Sequence, residues 1–246
     1  MVLKVYRTLL ARFGEQGWWP TTPEGSPEAV YRLTNKSRSL SEKEKFEICA
    51  GAILTQNTSW TNVKKALASL HRENLMSPEK ILQVRFPKLA RLIRSSGYFR
   101  QKAKKLRAFC RYLVERYHGE VSELLAEPLP DLRNELLNLH GVGPETADSM
   151  LLYAGGKPVF VVDAYTRRIG RRLGFFRTED YHEAQKFFEI NLENIPAKRR
   201  AAYYNEYHAL LVELGKNFCK TEPACLPCPL RRICVTGKKH VPARRT

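Results

Sequence analysis

Cys219, Cys225, Cys228 and Cys234 fall within "CKTEPACLPCPLRRIC", spaced Cys-x5-Cys-x2-Cys-x5-Cys. Four thiolates this close suit either zinc or a 4Fe-4S cluster. Zinc ribbons usually show two Cys-x2-Cys knuckles, and this segment has one, flanked by wider gaps, which leans toward iron–sulfur. A second constellation is "LHGVGPETADSM". Gly141 and Gly143 supply the freedom of a tight turn, and Pro144 suits the first position of a helix. The free N–H groups at such a helix start form a site for an anion, and a DNA phosphate fits it. The third is Asp163, after the apolar "VFVV" and before a basic helix carrying Arg167, Arg168, Arg171 and Arg172. As a structural residue Asp163 caps that helix. Set against a sugar–phosphate backbone, its charge could also stabilise an oxocarbenium ion as a base departs.

The composition agrees with a polyanionic partner. The chain has 246 residues, 43% of them hydrophobic, and a formal net charge of +17. That length makes one large or two modest domains. The excess charge attracts nucleic acid first and an anionic membrane surface second. No apolar run approaches the ~18 residues of a membrane span. The opening "MVLKVYRTLLARFG" reads as an amphipathic helix rather than a signal peptide. We therefore expect a cytoplasmic, nucleoid-associated protein, in which clustered cysteines bind metal rather than form disulfides.

Helices must carry these groups. "SEKEKFEICAGAILTQ" opens on a capping box of Ser41 and Glu44. "TNVKKALASLHREN" is amphipathic, and "SPEKILQV" starts with a serine cap and proline. "FRQKAKKLRAFCRYLVERYH" is a long basic helix, and "PDLRNELLNL" leads into the glycine hairpin. "DAYTRRIGRRLGF", "YHEAQKFFEINLENI" and "AKRRAAYYNEYHALLVELGKNF" complete an all-α fold. Only "KPVFVV" reads as a strand, and the basic tail "GKKHVPARRT" is expected to fray.

A hairpin, an apolar stretch and then an aspartate resemble the helix–hairpin–helix DNA glycosylases of the endonuclease III superfamily, over roughly residues 40 to 234. The resemblance implies a two-domain fold: a six-helix barrel domain over 37–157, and a second domain of 1–36 and 158–246 that carries a 4Fe-4S cluster. It makes Asp163 the catalytic carboxylate. Bifunctional members carry, eighteen residues earlier, a lysine that forms a Schiff base with the sugar. Here that position is Glu145, which implies hydrolysis without strand cleavage. The cysteine segment resembles the family's cluster loop, with a first gap of five residues where six is usual, and it implies that Arg231 and Arg232 hold the DNA backbone.

A glycosylase extrudes its base and fills the gap. By resemblance, Gln56 in "ILTQNTSW" fills the vacated space, with Asn57 beside it, and Tyr98 or Phe99 presses on the opposite strand. Gly141, Gly143 and Thr146 bind backbone at the hairpin, and Arg100, Lys102, Lys104 and Lys105 track phosphates. Trp18 and Trp19 are candidates for the base pocket, since aromatic faces favour a cationic ring, and Tyr153 and Tyr165 are candidates by proximity in sequence. "WWP", "GAILTQNT", "SGYFRQKAKKL" and "VVDAYT" look like the alkylpurine (3-methyladenine) branch. The expected partner is double-stranded DNA with a damaged base, lying across a cleft with Asp163 at its floor and bound by a monomer. Two other readings stay open: a glycosylase for oxidised or deaminated pyrimidines or mismatched bases, and a non-catalytic DNA-binding or redox-sensing protein.

Overall fold

The computed structural model of the chain describes residues 1–23, 25–26, 28–31 and 39–239. Its named elements are all helices. The elements are α1 (Val2–Phe13), α2 (Glu42–Leu54), α3 (Trp60–Arg72), α4 (Pro78–Gln83), α5 (Phe86–Leu92), α6 (Phe99–Tyr117), α7 (Val121–Ala126), α8 (Leu129–Leu137), α9 (Pro144–Ser149), α10 (Ala164–Leu173), α11 (Tyr181–Asn191), α12 (Ala197–Asn217) and α13 (Val235–Lys239). A 3-10 turn, Arg94–Ser96, precedes α6, and a π-helical turn, Met150–Ala154, continues α9. No helix among the described residues is long and apolar enough to cross a membrane.

The chain divides into two compact units, Met1–Trp18 with Pro158–Thr246, and Trp19–Lys157. The boundary expected at residues 36 and 37 lies outside the described residues, and the observed division comes earlier. Its cause is visible at Thr21 and Thr22. The Thr21 hydroxyl donates to Glu44 Oε1 at 3.0 Å. The Thr22 amide and hydroxyl donate to the Glu47 carboxylate at 2.9 and 2.6 Å. These bonds tie the segment to α2, and His71 Nε2 of α3 lies 3.1 Å from the same Glu47. Glu47 is fully buried, so losing a partner would expose it to the cost of an unsatisfied buried charge.

Within Trp19–Lys157, α2 is buried along most of its length and starts with the expected capping box. The helices α8 and α9 flank the glycine hairpin. Arg133 of α8 donates from Nε and Nη2 to the two oxygens of the fully buried Asp148 of α9, at 2.7 and 3.0 Å. Removing the arginine from such a pair costs about 3–5 kcal/mol, so it fixes how the two helices enter and leave the turn.

In the other unit an aromatic core holds the segment before α10 to α11 and α12. Phe160 stacks on Phe188 with centroids 4.4 Å apart, and Tyr204 and Tyr207 meet Phe160 edge-on. Pairs of this kind add about 0.5–1.5 kcal/mol each beyond burial. The Tyr207 hydroxyl donates to Val2 O at 2.9 Å, docking α1 on α12.

"KPVFVV" is not a strand. Val159–Val162 are buried, but no neighbouring strand pairs with them among the described residues. Side chains serve the backbone instead. Phe160 N–H donates to Glu189 Oε1 at 2.9 Å, and Gln185 Nε2 donates to Phe160 O at 2.8 Å. The β-branched run therefore crosses a helical core in extended form, its polar groups met from α11. Of the basic tail, Gly237–Lys239 belong to α13, and residues 240–246 lie outside the described residues.

Candidate active site

Asp163 is the N-cap of α10, and its Oδ1 accepts the Thr166 N–H at 2.7 Å. That bond fixes the carboxylate's rotamer and leaves Oδ2 to face elsewhere. His208 of α12 lies behind it, with Nε2 3.7 Å from Oδ2. Burial lowers the His208 pKa while the Asp163 charge works to raise it, and burial wins, so the imidazole is neutral at pH 7. Asp163 keeps a 15% exposed side chain. A partly exposed carboxylate at a helix start, braced on one oxygen, can act as a fixed charge toward a positive centre. Around it, α10 uses three of its four arginines internally. Arg168 donates to Cys219 O at 2.8 Å, Arg172 donates to Thr221 O at 2.7 Å, and Arg171 pairs with Glu179. Tyr165 packs on Gly215 of α12, where a Cβ would meet its ring.

The hairpin lies in the Trp19–Lys157 unit. Gly141 has φ +81°, and a Cβ there would collide with the Lys105 side chain. Gly143 caps α9 with extended backbone. Glu145 is exposed on the first turn of α9, while Thr146 is buried. Gln56 is tied to this hairpin. Its Nε2 donates to Gly141 O and to Thr146 Oγ1, both at 3.0 Å, and Lys105 Nζ donates to its Oε1 at 2.6 Å.

Of the four α6 cations expected on phosphates, Arg100 and Lys104 are exposed, Lys105 holds Gln56, and Lys102 is 2% exposed. Lys102 is therefore no phosphate contact. It shares the core-facing period of α6 with Leu106, Phe109 and Leu113, a spacing that announces burial whatever the residue's charge. Asn57 and Tyr98 sit at two exposed turns, both with left-handed backbone, φ +52° and +44°.

Trp19 and Tyr153 come together, with ring centroids 5.2 Å apart, and Trp60 meets Trp19 edge-on at 5.2 Å. Trp60, the first residue of α3, was invisible to spacing arguments because it precedes the apolar period. Trp19 reaches this position because Gly51 of α2 has no side chain: an added Cβ would stand 3.0 Å from the indole Cζ2. Trp18 belongs to the other unit and is half-buried.

Cys219, Cys225, Cys228 and Cys234 form no disulfides and line one small cavity with Arg172, Arg231 and Gly237. Burial, then the other cysteines, raise the Cys225 thiol's pKa, and burial pushes Cys228 up to about 11. Among the described residues no three His, Cys, Asp or Glu are set to hold a metal ion as they stand. The four thiols do share one cavity wall. Gathered thiols that are costly to ionise suit a strongly cationic group that offsets the cost of their deprotonation. The loop itself is organised by α10, through Arg172 Nη1 on Cys219 Sγ at 3.4 Å and Cys234 Sγ on Arg172 O at 3.1 Å. Arg231 is half-buried there and Arg232 exposed.

Residues 50–194 match the model of the HhH-GPD superfamily of base excision DNA repair proteins. A provisionally assigned DNA repair glycosylase of Methanocaldococcus jannaschii is 40% identical over 240 residues, 96% of each chain. The chain belongs to this superfamily. Its fold is the all-α fold of the HhH-GPD glycosylases, and it is a DNA glycosylase of base excision repair. Two solved structures are similar to this HhH-GPD protein. The 3-methyladenine DNA glycosylase of H. pylori, bound to 1,N6-ethenoadenine, superposes with a TM-score of 0.69 at 29% identity, covering 87% of this chain and 95% of that one. A trapped covalent intermediate of endonuclease III with DNA superposes with a TM-score of 0.70 at 25% identity, covering 97% and 98%. The matched segment contains Gln56, the hairpin and Asp163, and ends before the cysteines.

Proposed function

We propose that this protein is a monofunctional glycosylase that hydrolyses the bond between deoxyribose and a cationic alkylated purine such as 3-methyladenine in double-stranded DNA, leaving an abasic site. Glu145 carries the reading. It stands exposed on the first turn of α9, at the position where bifunctional relatives present a nucleophilic lysine, and a carboxylate cannot form a Schiff base. Asp163 supplies a fixed negative charge to the sugar as the base leaves, while water completes the reaction. An alkylated purine already carries positive charge, so it departs with modest help. Trp19 and Tyr153, grouped with Trp60, are buried, so their rings do not by themselves favour such a cation over a neutral pyrimidine. The likeness to a 3-methyladenine glycosylase supports the same class.

In this reading the hairpin amides at Gly141 and Gly143, with Thr146, hold a backbone phosphate. Asn57 and Tyr98 enter the stack at their exposed turns. Gln56, expected to fill the vacated space, has its side chain bonded to the hairpin instead, so insertion falls to Asn57 beside it while Gln56 links that turn to the phosphate site. The four cysteines would hold a 4Fe-4S cluster, on the loop that α10 organises and that carries Arg231 and Arg232 for DNA contact. The protein works as a monomer.

A second reading has one observation in its favour. Lys105 places an amine at Gln56, one hydrogen bond from the hairpin, and an amine there is chemically able to attack a sugar. The deciding experiment is a panel of duplexes, each with one damaged base, scored for free base and for strand breaks with and without alkali. Release of 3-methyladenine with breaks only after alkali is the expected result. A borohydride-trapped adduct that disappears in Lys105→Ala would establish the second reading, and release of oxidised pyrimidines alone would remove the alkylpurine assignment.

A further inference from the structure

Lys102 has no part in the chemistry described above, yet it is among the most buried side chains of its unit. Its Nζ donates to Leu54 O at 2.7 Å and to Ser96 O at 2.6 Å. These carbonyls belong to two different turns. Leu54 ends α2, three residues before Asn57, and Ser96 ends the 3-10 turn, two residues before Tyr98. Four non-glycine residues among those described have left-handed backbone, and Asn57 and Tyr98 are two of them. Left-handed backbone is unfavourable for Tyr98, while asparagine adopts it more readily, so the Tyr98 turn above all needs a neighbour that holds it.

The surroundings reinforce the link. Ser96 Oγ donates to Ile93 O at 2.7 Å, and Ser95 Oγ donates to Asn62 O of α3 at 3.0 Å. The Tyr98 turn is thus held on one side by α3 and on the other by the lysine. Burial first, and then the nearby Lys105, lower the Lys102 pKa to about 8, so the ammonium form still predominates at pH 7. Charge-assisted bonds of this length are roughly twice as strong as neutral ones.

We propose that Lys102 is a positioning residue for base extrusion: its buried ammonium clips the Asn57 turn to the Tyr98 turn, so that both enter the duplex as one preformed element. The inference rests on the proposed insertion of these turns into DNA. Its consequence is selective. A lesion that is already unpaired needs no wedge, since extrusion from the stack is the step that costs energy. The clip therefore matters for a paired lesion and not for a single-stranded one.

The test is single-turnover release of 3-methyladenine from the same oligonucleotide, paired or single-stranded, with melting temperatures recorded for each variant. Lys102→Met should slow release from the paired lesion by roughly tenfold and from the unpaired lesion by less than about twofold. Lys102→Arg, which keeps the charge on a longer stem, should recover part of the difference. Equal losses on both substrates, or none, would overturn the clip. If Lys102→Met does not fold, Lys102→Gln takes its place: a paired-to-unpaired ratio within about threefold of wild type then overturns the inference. Asn57→Gly and Tyr98→Gly, which relieve backbone strain and remove the inserting side chains, separate the two levels. If they leave the ratio unchanged, insertion itself is refuted. If they lower it while the Lys102 variants do not, only the clip fails.

Discussion

Two short helices begin with a carboxylate in their first turn or at their cap, and the two acids are held in opposite ways. Asp163, ahead of α10, is bonded through one oxygen to Thr166 N–H and backed on the other by buried His208. Glu145, on α9, stands exposed after a glycine turn whose backbone is braced by Gln56 and Lys105. In the first region the structure fixes the side chain. In the second it fixes the backbone around the side chain. A fixed charge can stabilise a transition state because it needs no reorganisation as charge develops. A fixed backbone can bind a phosphate while tolerating many side chains at the next position. The contrast supports the proposal that chemistry belongs to Asp163 and docking to the hairpin.

The largest expected effect follows directly. Asp163→Asn should lower single-turnover base release by about 10²–10³, the range seen when one electrostatic stabiliser is removed. Asparagine is as good a helix cap as aspartate, so the melting temperature should stay close to wild type. DNA affinity, measured by fluorescence anisotropy, should also persist. Release near the wild-type rate would take the chemistry away from Asp163 and leave the two helix starts on an equal footing.

Glu145 is predicted to behave otherwise. Glu145→Gln should change base release by less than about threefold, because an exposed group on a docking turn contributes little preorganised field. Glu145→Lys asks whether the site has kept the geometry of its bifunctional relatives. It should create a borohydride-trapped DNA adduct, seen as a shifted band on a denaturing gel. Loss of base release in Glu145→Gln to the extent of Asp163→Asn would make the two acids a catalytic pair.

Much of this contrast was legible in the residues themselves. Ser41 with Glu44, Ser77 with Pro78, and Asp163 before its helix all announced caps, because capping needs particular side chains at particular offsets. The four cysteines announced a shared site for the same reason. The short helices α5 and α7 were missed, since six or seven residues give too little period to read. "KPVFVV" misled because burial of an apolar run looks alike in a sheet and between helices. His208, Glu47 and Trp60 were missed because their roles depend on partners far away in sequence, and no local pattern reports those. Lys102 was assigned to phosphate by its charge, although its place in the α6 period pointed inward.

The hairpin's own contribution is tested at its turn. Gly141→Ala places a side chain in left-handed backbone, at about 1–2 kcal/mol, and pushes on the Lys105 stem. A destabilisation of that size, with weaker DNA binding and an unchanged rate of base release at saturation, is the expected pattern. It would show that bracing of the backbone serves affinity. A fall in saturated rate with normal affinity would instead tie the hairpin to the chemical step.

The smallest predicted effect concerns the residue that backs Asp163. His208 has a folded pKa below its ordinary value of 6.5, with burial as the leading cause. Over the window from 6.5 down to that lowered value, the unfolded chain binds a proton that the folded chain refuses. Stability therefore falls as pH drops through this window and is fully present above it. Asp163, whose charge favours the imidazolium, makes the loss smaller than burial alone would impose. Urea midpoints at pH 7.5 and 5.5 should show a larger acid loss for wild type than for His208→Gln, by less than about 1.4 kcal/mol for each pH unit crossed within that window. In Asp163→Asn the loss should grow, because the opposing charge is gone. Equal losses in wild type and His208→Gln would mean that the imidazole titrates no differently in the folded protein, and the brace behind Asp163 would then be steric rather than electrostatic.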